Sequence, residues 1–235
     1  MNNKTTINHY FEFRRVSNEM YSNTTLPLWI KQELSDKNCS ILDYGCGFGQ
    51  LLFALSNEGY SNICGVDIET SALKHCQYNK LNVKQLNIAN LCNPFEQKFD
   101  VIIFSHIIEH LPKDSMIETL SIVKDLFLNP DGKILVAVPN AQSNTGCYWA
   151  YEDFTHSTLF TSGSLYYVLR ASGFKSVEFL DVDCFSGQRG YKTALKKILL
   201  KLYIKNYNFW NKITNSACHA QSPQIFSYEI KAKAY

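Results

Sequence analysis

Residues 40–50, Ser-Ile-Leu-Asp-Tyr-Gly-Cys-Gly-Phe-Gly-Gln, read as a short apolar strand running into a turn with glycines at 45, 47 and 49. Asp43 stands two residues ahead of the first glycine. Residues 50–59, "QLLFALSNEG", then show apolar positions at helical spacing and a glycine stop. A strand that enters a glycine turn and leaves as a helix opens an α/β sheet, since glycine permits both the sharp turn and the close approach of a ligand to the backbone. Downstream, "NICGVDI" (62–68) is the next strand, a helix covers about 70–80, and "VKQLNI" (83–88) and "FDVIIF" (99–104) are further strands. The helical stretch 105–127 leads through the turn "NPDG" (129–132) to the apolar strand "KILVAVPN" (133–140). Strands alternating with helices at this spacing predict a parallel sheet with helices on both faces.

The remainder of the chain departs from that rhythm. Residues 1–38 are polar with aromatic punctuation and predict an N-terminal helical cap, followed by one main domain over 39–235. Beyond a helix in "SGSLYYVLRASG" (162–173) lie a strand near 176–185, a basic helical insertion within 184–228 and a last strand near 224–235. The expected fold is α/β, a Rossmann-like doubly wound sheet of about seven strands, mostly parallel, with an antiparallel C-terminal edge hairpin.

Of the net charge of +2, residues 184–228 carry +7, from Arg189 and six lysines without a single acid, which leaves −5 on the rest. Lys192, Lys196, Lys197, Lys201 and Lys205 recur at helical spacing opposite Leu195, Ile198, Leu199 and Leu202. That arrangement suits a solvated helix face, and also peripheral contact of the 192–206 segment with a membrane. A positive charge confined to one segment argues against a nucleic-acid partner. The eight cysteines contain no C-x-x-C pair and no regular framework, so they read as reduced thiols. No secretory h-region precedes the fold and no apolar run reaches bilayer length, so a cytoplasmic protein, at most at the inner face of the membrane, is expected.

The glycine turn fits one kind of ligand better than another. The dinucleotide fingerprint G-x-G-x-x-G needs glycine at 50, where this chain has Gln50. A pyrophosphate prefers a bare helix N-terminus, whereas an acid just before the glycines suits a cationic group such as an α-ammonium. Asp67, at the end of the second strand and 22 residues after Gly45, can take both hydroxyls of a ribose.

With these motifs in order, residues 38–180 resemble the class I S-adenosylmethionine-dependent methyltransferases. The resemblance implies that Asp43 and the backbone of Gly45, Cys46, Gly47 and Gly49 hold the methionine part of S-adenosylmethionine, and that Asp67, with Ile68 beside it, holds the ribose. Asn87 stands where the family usually has an acid beside the adenine amino group, and the backbone of Ile88 and Ser105 flanks the adenine and sulfonium.

"SHIIEHL" (105–111) places His106, Glu109 and His110 at i, i+3 and i+4, so a helix there would gather them on one face. An "EH" pair at this point resembles ubiquinone-biosynthesis O-methyltransferases and small-RNA 2′-O-methyltransferases. In those relatives an E-x-x-E-H face joins a later histidine around a divalent cation. Here His106 replaces the first acid, and His156 is the candidate later histidine. The set His106, Glu109, His110 and His156 can accordingly serve as a structural element, as a general base through His110 or His156, or as a metal site.

The pattern D-x-T-H at 153–156, followed by a helix ending in "GF", resembles methyltransferases of bacterial surface-polysaccharide and glycolipid clusters. It implies O-methylation of a sugar hydroxyl on a surface glycan or lipid-linked saccharide. Two alternatives stand beside it: an O-methyltransferase of a small phenolic or quinone-like metabolite, and a non-catalytic S-adenosylmethionine-binding subunit.

Overall fold

A computed structural model describes residues 10–21, 24–145 and 147–235. The main sheet begins with β1 (Ile41–Tyr44), β2 (Ile63–Asp67) and β3 (Val83–Gln85), which alternate with α3 (Gln50–Asn57) and α4 (Thr70–Tyr78). It continues through β4 (Phe99–Ser105), a 3-10 turn (Ile108–His110), α5 (Met116–Phe127) and β5 (Leu128–Pro139). Ahead of β1 lie α1 (Tyr10–Phe13) and α2 (Leu28–Lys31); after β5 come α6 (Tyr148–Glu152), α7 (Ser162–Ala171), β6 (Val177–Leu180), α8 (Tyr191–Ile213) and β7 (Glu229–Ala234).

The seven strands are ordered β3-β2-β1-β4-β5-β7-β6. The pairs from β3 to β5 are parallel, and β7 is antiparallel to both β5 and β6. The expected antiparallel return is therefore present, with the last strand inserted beside β5 and β6 left at the edge. Both faces of the sheet are buried. Side chains alternate strictly: Leu42, Ile102, Phe104, Ile134 and Val136 join one apolar cluster, whereas Ile41, Val101, Ile103 and Leu135 join the other.

Three local expectations are corrected. "VKQLNI" contributes only three strand residues, because Asn87 turns the chain by accepting a hydrogen bond from its own neighbour, Ala89 N, at 3.0 Å. The turn "NPDG" does not separate α5 from β5; Leu128 already pairs with Phe99, and residues 129–132 bulge out before Lys133 pairs with Val101. Finally, residues 106–110 do not form a continuous helix. His106 has φ +57° at the end of β4, and this left-handed residue swings the chain away before the short 3-10 turn begins. The N-terminal cap is described from Tyr10 onward, residues 1–9 lying outside the described range.

β2 and β3 build outward from β1 in one direction, and β4 crosses back to pair on its other side. Between the carboxyl ends of β1 and β4 lies the switch point, where open α/β sheets collect ligands.

Candidate active site

The switch point brings Asp43, Asp67 and the glycine turn together. Gly45 N and Cys46 N both donate to the Val66 carbonyl, at 2.8 and 3.0 Å, which folds the turn back over β2. Gly45 has φ +85°, and a β-carbon there would lie 2.1 Å from Ile107 Cδ1, so any side chain would displace the residue that follows His106. Gly49 has φ +82° and begins α3. Asp67 Oδ2 accepts from Gly47 N at 2.7 Å, and Oδ1 accepts from Glu69 N at 2.8 Å. Each carboxylate oxygen keeps a further lone pair for a hydroxyl donor.

Asp43 is buried, and burial together with the nearby Asp67 carboxylate pushes its carboxyl up to about 7. Burial likewise raises Asp67 against the pull of its backbone donors. Glu69, also buried, caps α4 through one oxygen, while its Oε2 has no hydrogen-bond partner among the described residues. Three acids with little to neutralise them favour a cationic ligand, and the open glycine backbone accommodates it closely. An α-ammonium and a ribose diol fit these groups. Of the remaining cofactor-side residues, Cys46 is buried, Ile68 packs partly into the core, Ile88 is exposed, and Ser105 lies at the carboxyl end of β4.

The second half of the cleft is assembled from distant segments. Glu109 is fully buried, and neither of its carboxylate oxygens has a hydrogen-bond partner among the described residues. His110 and His156 stack edge to face with ring centroids 4.6 Å apart, and one ligand atom from each of Glu109, His110 and His156 lies within 4.8 Å of the others. The loop that carries His156 is tied down by Ser157 N, which donates to the Glu109 carbonyl at 2.8 Å.

Hydrogen bonding fixes the tautomers of both histidines. Thr155 Oγ1 donates its single proton to Asp153 Oδ1 at 2.6 Å, so the 2.8 Å contact between His110 Nδ1 and Thr155 Oγ1 requires His110 Nδ1 to donate. His156 Nδ1 lies 2.6 Å from the Trp149 carbonyl, which can only accept. Both rings thus carry a proton on Nδ1, which leaves Nε2 as the nitrogen through which a neutral ring can accept a proton or ligate a metal; His156 Nε2 lies 3.9 Å from Asp153 Oδ2. Burial and the neighbouring His156 hold His110 below the usual histidine range, although Glu109 and Asp153 pull the other way. A buried carboxylate that accepts no hydrogen bond among the described residues, clustered with two imidazoles, fits a divalent cation, and equally fits a hydroxyl donor presented to a base.

His106 stands outside that trio. Its Nε2 lies 2.8 Å from Glu229 Oε1, and its Nδ1 lies 3.3 Å from Glu109 Oε1. Burial opposes a charge on this ring, but the two carboxylates outweigh burial and push it up to about 10. His106 is therefore an imidazolium at neutral pH. The candidate fourth ligand is held as a cation beside Glu109, and the left-handed turn at 106 is what separates it from His110.

Several participants carry no signal in the sequence motifs. Tyr10 Oη donates to Asp153 Oδ2 at 2.8 Å, and its ring meets His110 at 5.9 Å between centroids. Arg14 Nε lies 3.4 Å from Asp153 Oδ2. Next to Tyr10, Phe11 stacks on Phe48 of the glycine turn at 4.6 Å. The single turn α1 therefore bridges the two halves of the cleft. Asp153 is buried, yet hydrogen bonds from Thr155 and Tyr10 hold its carboxyl below the usual range. Asp153 and Thr155 sit inside the D-x-T-H pattern, whereas Tyr10, Arg14 and Glu229 become legible only in three dimensions.

The fold is that of the class I S-adenosylmethionine-dependent methyltransferases. The family described as "Methyltransferase domain" matches residues 13–178, and the chain belongs to it. A ubiquinone biosynthesis O-methyltransferase of Coxiella burnetii is 31% identical over 119 residues, covering 48% of each chain. A ribosomal protein L11 methyltransferase of Lactobacillus gasseri is 30% identical over 121 residues, covering 49% of this chain and 36% of that one. The chain spans about half the length, or less, of these curated relatives. In fold it is similar to a SAM dependent methyltransferase from Archaeoglobus fulgidus, with TM-score 0.61, 22% identity and coverage of 96% of this chain and 97% of that one. Among the described residues no helix is long and apolar enough to cross a membrane.

Proposed function

We propose that the protein is an O-methyltransferase that acts on a sugar hydroxyl of a bacterial surface glycan or lipid-linked saccharide, with a divalent ion held by Glu109, His110 and His156. The observation that supports this reading is the trio itself: the buried Glu109 oxygens accept no hydrogen bond among the described residues, one of them lying 3.3 Å from the His106 ring, and each histidine commits its Nδ1 to a fixed hydrogen bond. When bound, S-adenosylmethionine supplies an electrophilic methyl group on a sulfonium. The chain's own work is to hold the acceptor in line, exclude water and remove the hydroxyl proton.

A sugar hydroxyl is a weak nucleophile at neutral pH, so a site built for it needs more than a place to bind. His110 Nε2 and His156 Nε2 can each receive the proton, and Asp153, reached through Thr155, holds His110 in the tautomer that does so. A divalent ion on the trio would lower the proton affinity of a bound hydroxyl; two imidazoles and one carboxylate suit manganese, iron, nickel or zinc better than magnesium. Tyr151 and Phe154, 83% and 98% exposed beside this loop, supply apolar surface of the kind on which sugar rings stack.

One observation favours a second reading, an acceptor of phenolic or quinone-like type: the partial similarity to the ubiquinone-biosynthesis enzyme. Such hydroxyls lose their proton more readily and depend less on the trio. The deciding experiment supplies methyl-labelled cofactor to glycan, lipid-linked saccharide and quinone fractions. It is run in chelator and with each divalent ion returned separately. Label in the saccharide fractions that requires a metal supports the proposal. Label confined to quinones and indifferent to chelator supports the second reading, and cofactor binding with no label anywhere leaves a non-catalytic binding subunit.

A further inference from the structure

Amphipathic helices of folded proteins normally turn their apolar stripe inward; α8 does the reverse. The side chains of α8 that are at least half-buried against the body of the protein are Thr193, Leu200, Ile204, Tyr207 and Asn211. At about 100° per residue these lie along one line of the helix. On the opposite side Leu195, Ile198, Leu199, Leu202, Trp210 and Ile213 are each 54–57% exposed. The leucines opposite the lysines thus point outward. The lysines border that apolar strip on both sides, Lys201, Lys205 and Lys212 along one edge and Lys192 and Lys196 along the other.

We infer that the outward face of α8 lies in the surface of an anionic lipid bilayer. The helix is 23 residues long, about 34 Å, enough for an in-plane anchor, and it carries a tryptophan and a phenylalanine near one end. Lysines at the borders of an apolar strip can lay their stems along the acyl boundary and raise their ammonium groups to the head groups. Charge decides between this occupant and a second copy of the chain. Residues 184–228 carry +7 with no acid, so two copies meeting here would oppose like charges, whereas an anionic surface complements them.

The position of α8 gives the contact a purpose. Tyr203 Oη donates to Asn144 Oδ1 at 2.9 Å, on the loop that leads from β5 toward His156. The rings of Tyr203 and Tyr207 meet Phe226, just ahead of β7 and Glu229, at 5.4 and 4.9 Å. The helix is therefore fastened to the carboxyl edge of the sheet, where the acceptor side of the cleft opens. This inference goes beyond the enzymatic proposal, and its test does not use activity.

The full chain, with Trp29→Phe and Trp149→Phe so that Trp210 is the sole tryptophan, is sedimented with phosphatidylcholine vesicles, with and without one-third phosphatidylglycerol, at low and high salt, while Trp210 emission is followed. Binding to the anionic vesicles, weakened by salt and accompanied by a blue shift, is expected. Lys201→Glu with Lys205→Glu should lower partitioning on the order of thirtyfold or more, and Leu199→Glu with Leu202→Glu should lower it at least as far. All four positions are exposed, so stabilisation by S-adenosylhomocysteine should persist and report an intact fold. Equal binding to neutral vesicles, no binding to either kind, or variants that bind like the parent would overturn the inference. So would a dimer, seen by light scattering, that Leu199→Glu converts to monomer with no vesicle binding in the parent.

Discussion

The two halves of the cleft are built in opposite ways. The cofactor half is nearly contiguous: Asp43, the glycine turn, Asp67 and Glu69 fall within 27 residues and are positioned by backbone hydrogen bonds between adjacent strands. The acceptor half draws on residues 10–14, 106–110, 153–157 and 229, held by side chains that reach across the fold. Their electrostatics differ as well. The first half concentrates acids, a setting that suits a cationic group. The second pairs each acid with a histidine, an arginine or a lysine, and gathers the buried Glu109 with the rings of His110 and His156. A backbone-built site can be varied little without losing its ligand, whereas a side-chain-built site can change acceptors by small substitutions on separate segments.

If this division is real, substitutions should separate catalysis from cofactor binding. The largest expected effect is on turnover: His110→Ala should lower kcat by about 10²- to 10⁴-fold while leaving the thermal shift produced by S-adenosylhomocysteine unchanged. Glu109→Ala and His156→Ala should match it if a metal is held, whereas a single essential histidine with full activity in chelator would reduce the trio to one general base. The converse comes from Asp67→Ala, which should weaken S-adenosylhomocysteine roughly a hundredfold or more through two lost charged hydrogen bonds. Its own backbone partners, Gly47 N and Glu69 N, would loosen too, so calorimetric affinity is the proper readout. An Asp67 variant that binds normally but turns over slowly would erase the distinction between the halves.

The same division explains what could be read before the structure. The sheet, its order of elements and the cofactor cradle depend on apolar periodicity and on glycine spacing, which are local and visible in a single chain. Asp43 and Asp67 were legible for that reason. The trio was legible in membership, because "EH" and D-x-T-H are short patterns. Its geometry was not, because φ at His106 turns positive and no spacing rule announces a left-handed histidine. Glu229 lies 123 residues from the ring it charges, and only the insertion of β7 beside β5 brings them together. The outward direction of the α8 leucines was not legible, because helical spacing states which residues share a face and leaves open which way that face points.

Smaller effects test how each half is tuned. Thr155→Val keeps shape but removes the group through which Asp153 sets the His110 tautomer, so kcat should fall about ten- to hundredfold with KM little changed. Thr155→Ser should restore it, and an equal loss in the serine variant would make the residue structural only. On the cofactor side, Asp43 must be ionised to receive an ammonium, and its carboxyl is pushed up to about 7. Below that pH, affinity for S-adenosylhomocysteine should drop by up to about tenfold per unit, and the dependence should vanish in Asp43→Asn. In the free protein the sign runs the other way. A carboxyl raised above its unfolded value makes the fold relatively more stable at acid pH, and that advantage is lost as pH rises from about 4 to about 7.

The smallest effect concerns His106, which belongs to the acceptor half in position and resembles the cofactor half in being a charge held by fixed partners. Its folded value is raised above the unfolded one, so its contribution to stability is fully present below about 6.5 and is lost as pH rises through about 10. Glu229→Gln removes one of the two carboxylates that hold the proton, and should move the alkaline decline of the thermal midpoint to lower pH. It should leave His110 with its own tautomer and proton, since Thr155 and Asp153 are untouched. Activity at neutral pH should therefore change by less than about tenfold, far less than for His110→Ala. If Glu229→Gln instead abolished turnover at neutral pH without shifting the stability profile, His106 would have to act on the acceptor directly, and the imidazolium would join the trio as a catalytic group.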